Sequence, residues 1–153
     1  MRELAHRAAA CPGWRWMAGM GVVYLGREGL TCGRLADVGG RVVIDEAGRR
    51  SAFASDSYIG RFVEAADIET FDLLPDLEDP ATLGCLLALV RETWGRPALT
   101  TCPAGAPDGS VSWFVETLDP HDGDGYHVLS PRRATEAEAL VDALEEAPCE
   151  SSE

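Results

Sequence analysis

The 153-residue chain contains no lysine, asparagine or glutamine, while arginine, alanine, glycine, leucine and the acidic residues are abundant. All three missing residues have A-rich codons, so their joint absence points to a GC-rich source genome and asks for no functional explanation. Long apolar runs are missing too. The longest, Leu83 to Val90, falls far short of the roughly 20 residues a membrane-spanning helix needs. The N-terminal MRELAHRAAACPGW has no continuous apolar segment of the signal-peptide kind, and a cytoplasmic protein is expected. The five cysteines, Cys11, Cys32, Cys85, Cys102 and Cys149, are odd in number, widely spaced and without a C-x-x-C pair. That pattern predicts reduced thiols rather than a disulfide framework or a zinc site. Neither a G-x-S-x-G elbow nor a phosphate-binding G-x-x-x-x-G-K-[ST] loop occurs, and no cofactor or metal is expected.

What the chain does have is acid. Its 26 Asp and Glu outnumber its 13 Arg, for a formal charge of −13. Residues 1–63 hold nine Arg against six acids, +3, and residues 64–153 hold four against twenty, −16. An acidic second half repels nucleic acid and anionic membrane, whose binding relies on basic side chains. It suits a basic partner, or simply solubility.

The most legible element is a helix from Asp79 to Trp94. Asp79 is a good N-cap, Pro80 suits the first helical position, and Gly95 with Pro97 supplies the stop. Leu83, Leu86, Leu87, Val90 and Trp94 recur at the spacing of one buried face. This face is expected to pack on a following sheet. Before it, residues 2–10 predict a short helix with Leu4 as its one large anchor. Glycine-punctuated β-formers then predict a small antiparallel meander, with strands near 20–25, 30–37, 41–45 and 50–54, and with Gly39-Gly40 as one of its turns. The stretch 61–71 suits a last strand or a short helical turn. After the central helix, strands are expected near 98–102, 110–118 and 126–130, followed by a helix over 136–147 opened by a Thr135/Glu138 capping box. The fold class is α+β: a small meander over 1–72, a helix, three-stranded sheet and helix unit over 73–148, and a frayed tail over 149–153, together one compact domain with two lobes.

Candidate binding residues fall in three places. Trp14 and Trp16 share a face if the segment is extended, either as core or as a stacking platform. Arg34 and Arg41 belong to an arginine-decorated meander that, taken alone, would invite a nucleic-acid reading. The DPHDGDGYH stretch gathers Asp119, His121, Asp122, Asp124 and His127, the richest polar cluster in the chain. It does not fit a calcium loop, since the positions that should carry oxygen ligands are Pro120 and Pro131. Cys11, Cys32 and Cys102 are the candidate nucleophiles, none with a base in a recognisable motif.

Three segments, CPGWRWMAGM, LPDLEDPATLGCLLALVRETWG and TEAEALVDALEEAP, resemble a group of small uncharacterised proteins of bacteriophages and prophages of GC-rich bacteria. The C-terminal half also resembles the phage ABA sandwich type of domain, in which a helix, a short antiparallel sheet and a second helix stack. The resemblance implies a phage setting and that stacking order, and brings no catalytic residues with it. The leading expectation is a non-enzymatic accessory protein that binds a host or phage protein. Alternatives are a nucleic-acid mimic, a nucleic-acid or nucleotide-binding module, and a small enzyme. Direct RNA binding in the manner of an α-β-β-β-α double-strand binder is opposed by Glu136, Glu138, Asp142, Glu145 and Glu146 on the last helix.

Overall fold

A computed structural model describes residues 1–26, 29–38, 41–45, 62–63, 73–118 and 126–148. The α+β class holds. In chain order the elements are α1 (Arg2–Ala10), β1 (Gly21–Gly26), β2 (Gly29–Val38), β3 (Arg41–Asp45), β4 (Phe62–Val63), β5 (Leu74–Pro75), α2 (Pro80–Thr93), β6 (Thr100–Gly105), β7 (Val111–Leu118), β8 (Tyr126–Val128) and α3 (Glu136–Glu145). They fall into two compact units, residues 16–82 and residues 1–15 with 83–153. The division lies within α2, after its first residues.

The 16–82 unit is an antiparallel sheet in the order β4-β3-β2-β1-β5. Its long strands match the predicted meander closely. The hairpin registers close at Gly26↔Gly29 and Val38↔Arg41, which leaves two residues between the paired ends in each case. The predicted Gly39-Gly40 turn and the expected strand over 50–54 lie outside the described residues. In the ambiguous stretch 61–71, Phe62 and Val63 pair with Asp45 and Ile44 as a strand. Met20, Val22 and Leu35 are fully buried and form the core with Leu73, Leu74 and Leu77.

The start of α2 is tied to this sheet by one carboxylate. Asp79 Oδ2 accepts from the Thr82 N–H at 3.0 Å, the N-cap bond the sequence predicts. Its Oδ1 accepts from Arg34 Nη2 at 2.9 Å, and Arg34 Nη1 also donates to the Gly19 carbonyl at 2.6 Å. The fully buried Thr82 hydroxyl accepts from the Gly21 N–H at 2.7 Å. Gly21 lies close to this carboxylate, since a Cβ there would stand 3.1 Å from Asp79 Oδ2 and crowd it. Burial works against ionisation of Asp79, but Arg34 and the hydroxyl and amide of Thr82 outweigh it and hold the carboxyl below its ordinary range.

In the other unit, α2 ends as predicted. Gly95 takes φ +60°, its N–H bonds the Glu92 carbonyl at 3.0 Å, and the Arg96 N–H bonds the Arg91 carbonyl at 2.9 Å. That pair of bonds is a Schellman motif, and it satisfies carbonyls that the helix end would orphan. The buried stripe is shifted from the predicted one: Leu86, Leu89 and Val90 are fully buried, while Leu83 and Leu87 are half-buried.

The strand order of the second sheet is β6-β7-β8. β6 runs on through residues expected to be loop, with Pro103 inside it. Trp113 pairs with Pro103, but its own N–H and C=O both bond Arg133, at 2.7 and 2.8 Å. The Pro103 nitrogen therefore faces the sheet edge, where a missing N–H costs no ladder bond. On its far side β7 is bonded beyond Trp113 by β8, by the Leu129 N–H and by the Ser130 hydroxyl, which accepts from the Val115 N–H at 2.9 Å.

α3, expected on this sheet beside α2, lies closely against β7 and β6. α1 packs on α3 as well, and Trp94 Nε1 at the end of α2 donates to the Ala143 carbonyl at 2.8 Å. Neighbours on several sides explain why α3 buries seven residues, Ala137 and Ala139 through Leu144, rather than a stripe. Its capping box is present as predicted, with Thr135 and Glu138 bonded reciprocally.

Candidate functional site

Strand alternation divides β7 between two faces. Val115 and Thr117 are buried, and their face is the one α3 covers; Thr101, opposite Val115, confirms the side by donating to Glu136 at the start of α3 at 2.7 Å. The opposite face carries Ser112, Phe114 and Glu116 of β7. Their cross-strand partners are Ala104, Cys102 and Thr100 of β6, with Val128 of β8 beside Glu116. Phe114 is half-buried, and Val128 is 58% exposed. The Arg132 guanidinium lies over the Phe114 ring, 5.5 Å from its centroid, a cation–π placement that leaves the arginine exposed. An aromatic, an arginine and an exposed aliphatic side chain thus share one sheet face. Aromatic and arginine side chains are the two of these that are enriched at protein interfaces.

Arg132 and Arg133 point to different ends. Arg133 Nε donates to Asp142 Oδ2, and Arg7 of α1 donates to Asp142 Oδ1 at 2.8 Å and to Glu145 at 2.9 and 2.6 Å. Only 5% of the Asp142 side chain is exposed, against 42% for Arg7 and 45% for Arg133. A buried carboxylate with two guanidiniums has its lone pairs occupied, which makes this cluster a structural clamp.

Cys11 and Cys102 are poor nucleophiles. Burial, then the negative charge of Glu145, pushes the Cys11 thiol up to about 11 against a smaller opposing effect of Arg7. Burial, then the carboxylate of Glu116 that accepts its hydrogen bond at 2.9 Å, pushes Cys102 up to about 11 as well. Reactive cysteines have the opposite environment, with a base or positive charge that lowers the pKa. Among the described residues no three His, Cys, Asp or Glu side chains come together as a metal site would need.

The sequence-predicted residues meet different fates. Trp14 and Trp16 are both half-buried, in non-strand backbone. Arg34 is committed to Gly19 and Asp79, and so positions the start of α2. Arg41 lies in β3 opposite Val38. His127 lies in β8 opposite Thr117 and is exposed, whereas Asp119, His121, Asp122 and Asp124 lie outside the described residues. Sequence reasoning missed Phe114 and Arg132 as a pair. Strand alternation places Phe114 on the face opposite Val115, but nothing in the spacing shows that Arg132 folds back over it.

Grouping charge by structural unit changes the picture drawn from the two halves of the sequence. Residues 1–15 with 83–153 hold seven Arg and fourteen acids, −7, and residues 16–82 hold six and twelve, −6. Both units are acidic. No protein-family profile, curated protein or solved structure matches the chain. Among the described residues no helix is long and apolar enough to cross a membrane.

Proposed function

We propose that the chain is a non-enzymatic binding protein of the phage or prophage accessory kind, acting on a protein of the host or of the phage. The observation that carries this reading is the sheet face on which Arg132 overlies half-buried Phe114 beside exposed Val128. An aromatic side chain held on a strand with an arginine laid over it supplies large contact area, and the strand limits the entropic cost of ordering the aromatic ring. The resemblance of three sequence segments to small phage-encoded proteins belongs to the same proposal. An enzyme reading is disfavoured by thiols pushed up to about 11 at Cys11 and Cys102.

A nucleic-acid mimic is the second reading, and the formal charge of −13 is its support. It draws less from the fold than from the halves of the sequence, because the acidic excess is shared by both units rather than gathered on one. Affinity capture from host lysate, comparing the native chain with Phe114→Ser and Arg132→Glu, tests the first reading. A captured protein lost with both variants supports it, and capture unaffected by either removes this face as the binding surface. Release of the captured protein by added duplex DNA would favour the mimic instead.

A further inference from the structure

We infer that α1 is a detachable strap, which opens from α3 as a unit while the rest of its compact unit stays folded. Four observations lead there. The helix has nine residues and no side-chain N-cap bond, and isolated helices shorter than about 12 residues are marginal in water. It is helical because it is docked. Its buried contacts are few and small: Leu4, Ala5 and Ala8, with Cys11 just past its end.

One polar anchor is Arg7, which holds Asp142 and Glu145 on α3. Undocking would ordinarily strand Asp142, and a buried unpaired carboxylate would forbid it. Arg133, however, comes from the segment that leads into α3 and donates to the other oxygen of the same carboxylate. Asp142 keeps a counter-charge when α1 leaves. The ion pair at Arg7 is therefore dispensable to the core and specific to the strap.

The pivot is also marked. Gly13 follows the Cys11-Pro12 step and is wedged so closely that an added Cβ would stand 2.2 Å from Thr93 Cγ2 and 3.3 Å from Leu144 Cδ1. The close approach at Gly13 sets the end of the strap. Opening uncovers the side of α3 that carries Asp142 and Glu145, and because the anchor is ionic, salt favours the open form.

Cys11 reports on the strap. It is 7% exposed when docked, so a thiol reagent reaches it only on opening. The experiment is alkylation of the folded chain read by peptide mass spectrometry at low and high salt, with amide exchange of residues 140–144 followed in parallel. Cys11 modification faster than exchange of the α3 core is the expected result, accelerated by salt. Arg7→Ala should raise the Cys11 rate about tenfold, with α3 exchange unchanged. Modification of Cys11 only at the rate of α3 opening, with both moved together by Arg7→Ala, would overturn the inference.

Discussion

The guanidinium of Arg7 lies 2.8 Å from the carboxylate of Asp142, a residue 135 positions away in the chain. Asp142 sits in a helix whose other buried residues are alanine, leucine and valine, and it is tolerated there because Arg133 holds its second oxygen. The two arginines make the site redundant. Arg7→Ala and Arg133→Ala should each cost about 1 kcal/mol, since the remaining arginine still compensates the buried charge. The double variant strands Asp142 and should cost about 3–5 kcal/mol, more than the sum. Urea unfolding of the four members of this cycle checks the non-additivity.

Acid should loosen the attachment of α2. The carboxyl of Asp79 is held below its ordinary value of 3.8 in the folded chain. A carboxyl with a depressed folded pKa contributes stability that is fully present above the unfolded value and lost as pH falls through the folded value. The contribution is therefore present at neutral pH and disappears below about pH 4. Asp79→Ala should cost about 0.5–2 kcal/mol at pH 7, the range of a lost N-cap, and should make the acid limb of stability against pH shallower. Thermal melts of both chains across that range give the comparison.

Two glycines should respond to alanine with opposite signs. At Gly13 the new methyl meets Thr93, whose hydroxyl is bonded to the Leu89 and Val90 carbonyls and resists rotation, so Gly13→Ala should destabilise by about 1–3 kcal/mol. Gly84, within α2, has nothing within 4 Å of its added Cβ. Gly84→Ala should stabilise by about 0.5–1 kcal/mol through helix propensity and a less flexible unfolded chain. Denaturant midpoints measure both.

Thiol reactivity should follow the environments. Cys102 should alkylate far more slowly at neutral pH than a free cysteine, since burial and Glu116 keep it protonated. Glu116→Gln removes the negative acceptor and should accelerate it, while exposed Cys32 reacts readily in either chain. The ordering of modified peptides in time decides the matter.

The parts of this fold that could be read in advance are those with local causes. The Asp79 cap, the Pro80 start, the Gly95 stop and the Thr135/Glu138 box each depend on residues within one turn, and each is present. The strands β1 and β3 were legible because each carries a run of β-formers beside turn residues. What could not be read depends on partners distant in sequence. Leu89 belongs to the core and Leu87 only half so, because the orientation of α2 is set by its neighbours and not by its own period. Asp142 read as one of several helix acids, and only the arrival of Arg7 and Arg133 makes it a buried clamp. Likewise Arg34 read as part of a basic surface until Asp79 took it up.

The central claim is that the face of Phe114, Val128 and Arg132 binds another protein. An amide-exchange footprint of the chain, alone and with the protein it captures, tests this most directly. Slowed exchange confined to residues 100–105, 111–118 and 126–133, absent with Arg132→Glu, is the predicted result. Slowed exchange elsewhere, or a footprint indifferent to Arg132→Glu, would contradict it.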